Sequence, residues 1–307
     1  MRILFDNVDF HSRRGPHLFG QKLAAALARR GHLIVGAGER PDVQLTFIES
    51  SIRGRKRAPL IHRLDGIWFN TVQDWRAANV PIRRTFAAAD AVVYQSEFDK
   101  RLVERFFGPR EPFRIIPNGT ELQRIQSAPP LRIPFDRTPE KVWSCASSWR
   151  PHKRLGENIR YFREHAGPRD CLLIAGAGPE VDPRRTRDRR IRYLGDLEYE
   201  TLLSMYRASD CFLHLAWLDH CPNVVVDARA AGCRIVCSSS GGTREVAGPD
   251  ATLILEDEWD FEPCDLYSPP RMDIAKTAVN GLDADIRIES CAQEYEKAFA
   301  AATSSPA

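Results

Sequence analysis

Short apolar runs alternate along the chain with longer segments in which apolar residues recur every three or four positions. This spacing predicts amphipathic helices, and the short runs predict buried strands. The clearest helix is predicted for residues 17–30, and Gly31 follows it as a C-cap. In the first part of the chain we predict strands at 2–5, 33–35, 43–47, 60–62, 91–94 and 113–116, and further helices at 82–89 and 97–107.

A proline-containing stretch without clear periodicity, residues 127–139, interrupts this alternation and predicts a linker. After it the same pattern of strands and helices starts again. Here we predict strands at 141–146, 171–175, 191–194, 211–215 and 234–238, with helices at 154–165, 199–208 and 222–231. The segments 271–281 and 286–302 are predicted as closing helices, ahead of a polar tail.

Strands that alternate with helices imply parallel sheets joined by right-handed crossovers. Two such runs separated by a linker predict an α/β protein with two Rossmann-like domains. We place the first domain at 1–132 and the second at 133–285, and we expect the C-terminal helix and tail, 286–307, to pack back on the first domain. In open sheets of this class, ligands bind at the carboxyl ends of the strands.

The composition is that of a globular protein. The 307 residues are 43% hydrophobic and 28% charged, and the net charge of +3 is compatible with an anionic partner without requiring one. All eight cysteines lie at or after position 145 and include no CxxC pair, which disfavours a zinc ribbon and indicates a reducing compartment. Because no signal peptide and no run of about 20 apolar residues is present, we expect a cytoplasmic protein, free or peripheral at the inner membrane.

The most informative stretch carries two acids, Asp219 and Asp227, on either side of a predicted helix start at Pro222 and Asn223. A helix N-terminus attracts phosphate through its free N–H groups and its partial positive charge. A carboxylate in the loop can bind sugar hydroxyls, and one inside the helix can reach a ribose. Spacing alone gives equal weight to the alternative that neither acid binds a ligand, with Asp219 an ordinary loop acid and Asp227 an ordinary acid on a helix surface.

This stretch, C-P-N-V-V-V-D-A-R-A-A-G, resembles the signature of family-four retaining glycosyltransferases of the GT-B fold. Their pattern is Glu, seven residues, Glu, then a short helix, Gly and a strand, and this chain has Asp at both acidic positions. The resemblance implies a GT-B architecture, with two Rossmann-like domains that face each other across a cleft. It also implies a donor-binding set that contains Asp219, Cys221, Pro222, Asn223, Val224 and Asp227.

Other segments occur in the family's order. Residues 147–153 resemble the G-R-L-x-x-x-K segment, so Lys153 corresponds to the lysine that contacts the donor diphosphate. Ser148 replaces the family's Arg, and Arg150 is a candidate substitute. Residues 174–180 resemble the G-x-G-P-E turn, Gly195 matches a strand end near the nucleotide base, and residues 241–245 match G-G-x-x-E. A solvated basic loop remains the alternative for residues 147–153.

In the first domain, Gly15 resembles the family's glycine loop near the donor phosphate. Asp65 matches the position at which many relatives carry a His that touches the transferred sugar, and His62 lies three residues earlier, where a structural role is favoured. Asn118 belongs to a P-N-G turn, and with Asp65 and His62 it forms the expected acceptor-side set. Basic clusters at 53–57 and 184–192 are interpreted mainly as solvated loops, although the first could bind an anionic lipid surface.

The resemblance implies a retaining, metal-independent hexosyltransferase without a cofactor, with Asp219, Lys153 and Asp65 as catalytic candidates. Its substrate would be a UDP- or GDP-linked sugar. Its acceptor would be a glycan, a lipid-linked saccharide or a small molecule, as in polysaccharide biosynthesis, and nucleic acid is less favoured. The alternatives are a non-catalytic nucleotide-sugar-binding protein and another GT-B enzyme, such as an epimerase or phosphorylase. An oxidoreductase is disfavoured because the third glycine of G-x-G-x-x-G is missing.

Overall fold

The computed structural model describes residues 1–12, 15–52, 58–132, 135, 137–182 and 188–304. The chain forms two compact units. The first contains Met1–Glu121, Phe261–Cys264 and the chain from Asp285 onwards, and the second contains Leu122–Asp260 and Asp265–Ala284. The division therefore falls at Glu121 and Leu122, ahead of the segment 127–139 that the sequence pattern marks as a linker.

The first unit is built on a six-stranded sheet with the order β2-β1-β3-β4-β5-β6, in which every pair of neighbours is parallel. This is the arrangement expected where helices connect successive strands. Its elements are β1 (Arg2–Asp6), α1 (Gly15–Arg29), β2 (Leu33–Val35), β3 (Val43–Phe47), β4 (Leu60–Arg63), α2 (Trp75–Ala88), β5 (Ala91–Tyr94), α3 (Glu97–Phe107) and β6 (Phe113–Ile115), and α9 (Ile288–Ser304) completes it.

The C-terminal helix α9 belongs to the core of this first unit. Ile288, Tyr295 and Phe299 are fully buried and join the cluster that includes Phe19 of α1 and Phe47 of β3. The apolar side of α9 thus covers surface that the first sheet and α1 would otherwise expose to water.

The second unit contains a seven-stranded sheet with the order β13-β12-β11-β10-β7-β8-β9. All neighbours are parallel except β12 and β13, which are antiparallel. Its elements are α4 (Leu122–Ser127), β7 (Val142–Ala146), a 3₁₀ turn (Pro151–Lys153), α5 (Leu155–His165), β8 (Cys171–Ala175), β9 (Ile191–Gly195), α6 (Tyr199–Arg207), β10 (Cys211–His214), α7 (Asn223–Ala230), β11 (Arg234–Ser238), α8 (Thr243–Val246), β12 (Thr252–Ile254) and β13 (Thr277–Val279).

Two predicted helices differ from the structure. The helix predicted at 82–89 begins at Trp75, because Asp74 caps it by accepting a hydrogen bond from the Ala77 amide at 3.0 Å, and Pro81 is accommodated inside it. The helix predicted at 271–281 is wrong, since this segment contains the edge strand β13. Its burial alternates between the buried Met272 and Ile274 and exposed neighbours, which is the period of an extended chain.

None of the eight cysteines forms a disulfide, and all except Cys264 are buried. They act as small apolar side chains in the cores. Among the described residues, no helix combines the length and the apolar character that crossing a bilayer requires.

Candidate active site

Three polar side chains meet at the carboxyl ends of the neighbouring strands β7 and β10 of the second unit. Lys153 ends the 3₁₀ turn that follows β7, and its Nζ lies 2.5 Å from Oδ2 of Asp219, in the loop after β10. His214, the last residue of β10, places its Nε2 2.9 Å from the same carboxylate oxygen. The structure therefore brings together the predicted Lys153 and Asp219 and adds a histidine.

The electrostatics of this cluster favour an ionised acid. Burial alone would raise the pKa of the Asp219 carboxyl, but the charge of Lys153 and the hydrogen bond from His214 hold this pKa well below its usual value. Burial lowers the pKa of His214, although Asp219 opposes this shift. The lowered pKa of Asp219 and the lowered pKa of His214 are both consistent with a neutral imidazole that donates its Nε2 hydrogen to the Asp219 carboxylate.

A buried ion pair fixes the turn that carries Lys153. The next residue, Arg154, has a left-handed backbone (φ 52°), and its guanidinium donates to both carboxylate oxygens of Glu256, at 2.9 and 2.7 Å. It also donates to the Pro270 carbonyl oxygen at 2.8 Å. Because bidentate Arg–carboxylate pairs hold a defined geometry, the backbone beside Lys153 is fixed.

The glycines of the G-x-G-P-E turn are needed for close backbone packing. A Cβ atom at Gly176 would lie 1.9 Å from the Ser147 carbonyl oxygen, and one at Gly178 would lie 2.2 Å from that of Trp149. Both glycines also have positive φ, which side chains disfavour. This turn therefore supports the loop that precedes Lys153.

The G-G-x-x-E segment supports the Asp219 loop in the same way. A Cβ atom at Gly241 would lie 2.5 Å from the Asp219 carbonyl oxygen, which accepts a hydrogen bond from the Gly242 amide at 2.7 Å. Glu245 lies in the short helix α8, and its amide donates to the Gly242 carbonyl at 3.1 Å.

The second acid of the signature points into the second unit. Asp227 is buried on α7, and its Oδ2 accepts a hydrogen bond from the Tyr199 hydroxyl of α6 at 3.2 Å. At the start of α7, Pro222 occupies the N-cap position and Cys221 is buried, whereas Asn223 and Val224 are partly exposed.

Two further donor-side candidates lie at the surface of the second unit. Arg150 is exposed at the N-cap of the 3₁₀ turn. Gly195 is exposed at the end of β9 with φ 71°, and its carbonyl oxygen accepts a hydrogen bond from the Gly176 amide at 2.7 Å. The G-x-G turn and the end of β9 are thus joined directly.

The candidates of the first unit form a buried network. Arg63 of β4 is fully buried, with its guanidinium 4.4 Å from the ring centre of Phe19. It donates to the carboxylate of Asp65 and to Oδ1 of Asn118. Arg63 is the residue that sequence reasoning missed here, because a charged residue at a strand end reads as exposed.

The remaining first-unit candidates differ in exposure. His62 is fully buried, its Nε2 donates to the Ile48 carbonyl oxygen at 2.7 Å, and burial lowers its pKa to about 4, so it is a neutral structural residue of the core. Gly15 is exposed at the start of α1. The basic cluster 53–57 lies outside the described residues, as does part of the cluster 184–192 of the second unit.

His214 and Tyr199 were also missed by sequence reasoning. His214 lies in an apolar run predicted as a strand, where a histidine reads as a core residue, and Tyr199 gives no signal apart from its place at a helix start. Within the described part of the chain, no group of three or more His, Cys, Asp or Glu side chains is arranged to hold a metal ion.

Sequence comparison identifies relatives of this chain. Residues 137–261 match the family model described as Glycosyl transferases group 1. A GDP-mannose-dependent monoacylated alpha-(1-6)-phosphatidylinositol monomannoside mannosyltransferase from Corynebacterium glutamicum is 27% identical over 196 residues. The match covers 57% of this chain and 51% of that protein, so it spans about half the length of the curated relative.

Solved structures with the same fold cover nearly the whole chain. Anabaena HepE, solved in complex with UDP and glucose, has a TM-score of 0.68 at 15% identity over 98% of this chain and 99% of its own. A sucrose-phosphate synthase from Thermosynechococcus elongatus has a TM-score of 0.66 at 15% identity, with the same coverage. The predicted α/β fold with two Rossmann-like domains is confirmed: these solved structures share the GT-B fold with this chain, and residues 137–261 match the model of glycosyl transferases group 1.

Proposed function

We propose that this protein transfers a hexosyl group from a nucleoside diphosphate sugar to a hydroxyl group of an acceptor. The observation that carries the proposal is the cluster of Lys153, Asp219 and His214 at the carboxyl ends of two adjacent parallel strands. This edge is where α/β sheets bind ligands, and the cluster lies inside the group 1 domain.

The proposed chemistry needs mainly charge stabilisation. The bond between the anomeric carbon and the diphosphate oxygen breaks, and its electron pair stays on the diphosphate. The acceptor oxygen bonds to the anomeric carbon and loses its proton. Lys153 is partly exposed and carries the positive charge that neutralises the departing diphosphate, with Arg150 beside it at the surface. Transfer with retention of configuration and without a metal ion is part of the proposal, on the strength of the resemblance.

Asp219 is proposed to bind hydroxyl groups of the transferred sugar. In the structure its Oδ2 is engaged by Lys153 and its Oδ1 accepts a hydrogen bond from the His220 amide at 3.0 Å. When Lys153 turns to a phosphate, Oδ2 gains room for a hydroxyl donor. Lys suits this exchange, because its ammonium is a point charge on a flexible stem.

Further donor contacts are proposed from the start of α7 and from the end of β9. The partly exposed Asn223 and Val224 would face the diphosphate through the helix N-terminus, with Cys221 and Pro222 shaping the turn. Asp227, oriented by Tyr199, would reach the ribose hydroxyls. Gly195 would leave space for the base.

In the first unit, Asp65 and Asn118 are proposed to shape the acceptor side. Arg63 holds both side chains, which supports a role in positioning the loop that contains Asp65. His62 is fully buried, so its contribution would be to the same framework.

The nucleotide is proposed to be uridine or guanosine diphosphate. HepE was solved with UDP and with UDP-glucose, and the Corynebacterium relative is named as GDP-mannose-dependent. That relative is also named for a phosphatidylinositol glycoside. These names support a glycolipid or glycan acceptor and therefore peripheral contact with a membrane.

A groove on the first unit supports this membrane contact. It has a volume of about 510 Å³ and is lined on α2 by Trp75, Arg76, Val80 and Arg83, with Phe106 of α3 opposite. We call it the α2–α3 groove. Val80 is 55% exposed, and neither Arg76 nor Arg83 forms an ion pair with a described residue. Exposed arginines beside aromatic side chains suit an anionic lipid surface.

Vesicle binding tests the α2–α3 groove. The double variant R76Q/R83Q should bind vesicles of phosphatidylcholine and phosphatidylglycerol roughly 30-fold more weakly than the wild type, since each arginine contributes about 1 kcal/mol near such a surface. The matched control is R207Q/R234Q, two exposed arginines of the second unit. Equal binding by both double variants in a sedimentation assay would exclude this groove as the contact.

A turnover assay tests the proposed function itself. Release of nucleoside diphosphate from UDP-glucose and GDP-mannose is followed by chromatography, with and without a chelator and with candidate glycolipid acceptors. We expect acceptor-dependent release that persists in the chelator and is lost in K153A. Binding without any release would favour the non-catalytic alternative, and interconversion of the sugar without an acceptor would favour an epimerase.

A further inference from the structure

His214 differs from the other members of the Lys153–Asp219–His214 cluster in how firmly it is held. It lies on β10, a central strand that is paired with β7 and β11, and only 4% of its side chain is exposed. The ring of Phe212 lies nearly parallel to the imidazole, with 6.5 Å between the ring centres. The imidazole is therefore buried on a central strand, where it is held more firmly than a side chain in a loop.

Lys153 has the opposite character. Its side chain is 18% exposed at the end of a 3₁₀ turn, and its ammonium is the other donor to Asp219 Oδ2. The fixed backbone at Arg154 leaves the four-carbon stem as the part that moves. Oδ2 of Asp219 thus accepts from two donors: Lys153, whose flexible side chain can move, and His214, which is held on the central strand.

We propose that His214 is a positioning residue that holds the Asp219 carboxylate in its sugar-binding place when Lys153 leaves it for the donor diphosphate. The inference rests on the proposed function. Without His214, a mostly buried carboxylate would lose its Oδ2 partner at the moment when it has to receive a sugar hydroxyl. The hydrogen bond from His214 keeps the carboxylate charge satisfied and its orientation unchanged.

The residue types agree with this role. The side chain of Asp219 is one methylene shorter than the Glu of the signature it resembles, so its oxygens are placed by the backbone and by the groups that bond to them. The backbone is held by Gly242, and the carboxylate by His214 and the His220 amide. Burial also lowers the pKa of His214, so the imidazole serves Asp219 as a neutral donor in the structure.

The test compares H214Q and H214N. The amide nitrogen of Gln can take the place of the imidazole Nε2, whereas Asn ends too early to reach Asp219 Oδ2, and both substitutions are polar. Calorimetry measures the binding of UDP, GDP, UDP-glucose and GDP-mannose. His165, which bonds to the Tyr161 carbonyl on α5, provides the control substitution H165N.

We expect H214N to bind the nucleotide-sugar roughly tenfold more weakly than the wild type, as for the loss of one hydrogen bond to a charged group. Its affinity for the nucleoside diphosphate should stay within about twofold, because Lys153 is intact. H214Q and H165N should resemble the wild type. A general structural defect would weaken all ligands alike, whereas the proposed role affects only those that carry the sugar.

Equal loss in H214Q and H214N, or unchanged nucleotide-sugar binding in H214N, would overturn the role of His214 and leave the proposed function intact. If the wild type bound none of the four ligands, the proposed function and this inference would both fail. Circular dichroism and melting temperatures establish that each variant is folded, and if H214N does not fold, H214Q together with H214S repeats the comparison.

Discussion

Each unit places a cation–carboxylate pair near the carboxyl edge of its parallel sheet, yet the two pairs differ in burial. In the first unit, Arg63 is fully buried and Asp65 is 7% exposed. In the second, Lys153 and Asp219 are 18% and 15% exposed. A fully buried planar guanidinium between aromatic rings fixes a structure, whereas a partly exposed ammonium on a flexible stem can be exchanged for a ligand. Arg63 and Asp65 therefore form a structural pair, which we call the framework pair. Lys153 and Asp219 form a pair that can exchange its contact for a ligand, which we call the working pair.

Removing Arg63 should have the largest effect on stability. R63L leaves Asp65 buried without its main partner, which costs about 3 kcal/mol or more and lowers the melting temperature by roughly 6–12 °C. The matched control, R84L, removes an exposed arginine of α2 and should shift the melting temperature by less than about 2 °C. A melting temperature for R63L close to that of R84L would mean that the first pair is not a framework element.

Removing Lys153 should have the largest effect on ligand binding and turnover. K153A should lower the turnover of the nucleotide-sugar on the order of 100-fold, as for the loss of one main group that stabilises developing charge. Its melting temperature without ligand should fall less than that of R63L, because the Lys153–Asp219 pair is partly exposed and His214 still bonds to Asp219. K141A, an exposed lysine of the same unit, serves as the control. A large fall in the melting temperature of K153A with normal turnover would reverse the roles of the two pairs.

Loss of the Tyr199 hydroxyl should have a smaller effect. Y199F removes the hydrogen bond to Asp227 Oδ2, and a hydrogen bond to a charged acceptor is worth about 1.5–3 kcal/mol. We expect nucleotide affinity to fall roughly tenfold or less, because the weakened contact is the proposed one between Asp227 and the ribose of the nucleoside. Y161F, on α5, is the comparison variant, and calorimetry that shows the same affinity for both would remove Asp227 from the proposed ribose contact.

Acid should weaken the working pair, with the smallest expected effect. Burial alone would raise the pKa of Asp219, but Lys153 and His214 lower it well below its ordinary value. The carboxylate therefore contributes stability above its unfolded pKa of about 3.9, and this contribution is lost as the pH falls through the folded pKa. The gap in melting temperature between the wild type and D219N should be constant above about pH 5 and shrink below about pH 4. A difference in melting temperature that grows as the pH falls would contradict the predicted direction of this pH dependence.

The sequence predicted most of the framework because the central strands are continuous apolar runs. The strand predicted at 171–175 and that at 234–238 match β8 and β11 residue for residue. The edge of the second sheet is less predictable from sequence. Local periodicity predicts a helix where the short strand β13 lies, since the pairing of β13 with β12 is a tertiary contact that local periodicity does not contain.

For the site, motif spacing located Lys153 and Asp219, whose contact in space is evident only in the structure. His214 and Arg63 could not be predicted, because their roles depend on partners across the sheet. A histidine in an apolar run and an arginine at a strand end have no pattern of their own. The sequence pattern identifies the glycines of the G-x-G-P-E turn. Glycine is needed there because the turn packs against the backbone of residues 147–149, and this contact is evident only in the structure.

The most direct test of the central claim is the melting temperature of the wild type and K153A against UDP, GDP and their sugars, with and without a chelator. A ligand that binds only the folded state must raise this temperature. We predict that one nucleoside diphosphate and its sugar raise it for the wild type, that the chelator does not alter the shift, and that K153A loses it. A well-folded wild type with no shift for any ligand, or a K153A variant with the full shift, would contradict the account of Lys153 and Asp219 as the donor site.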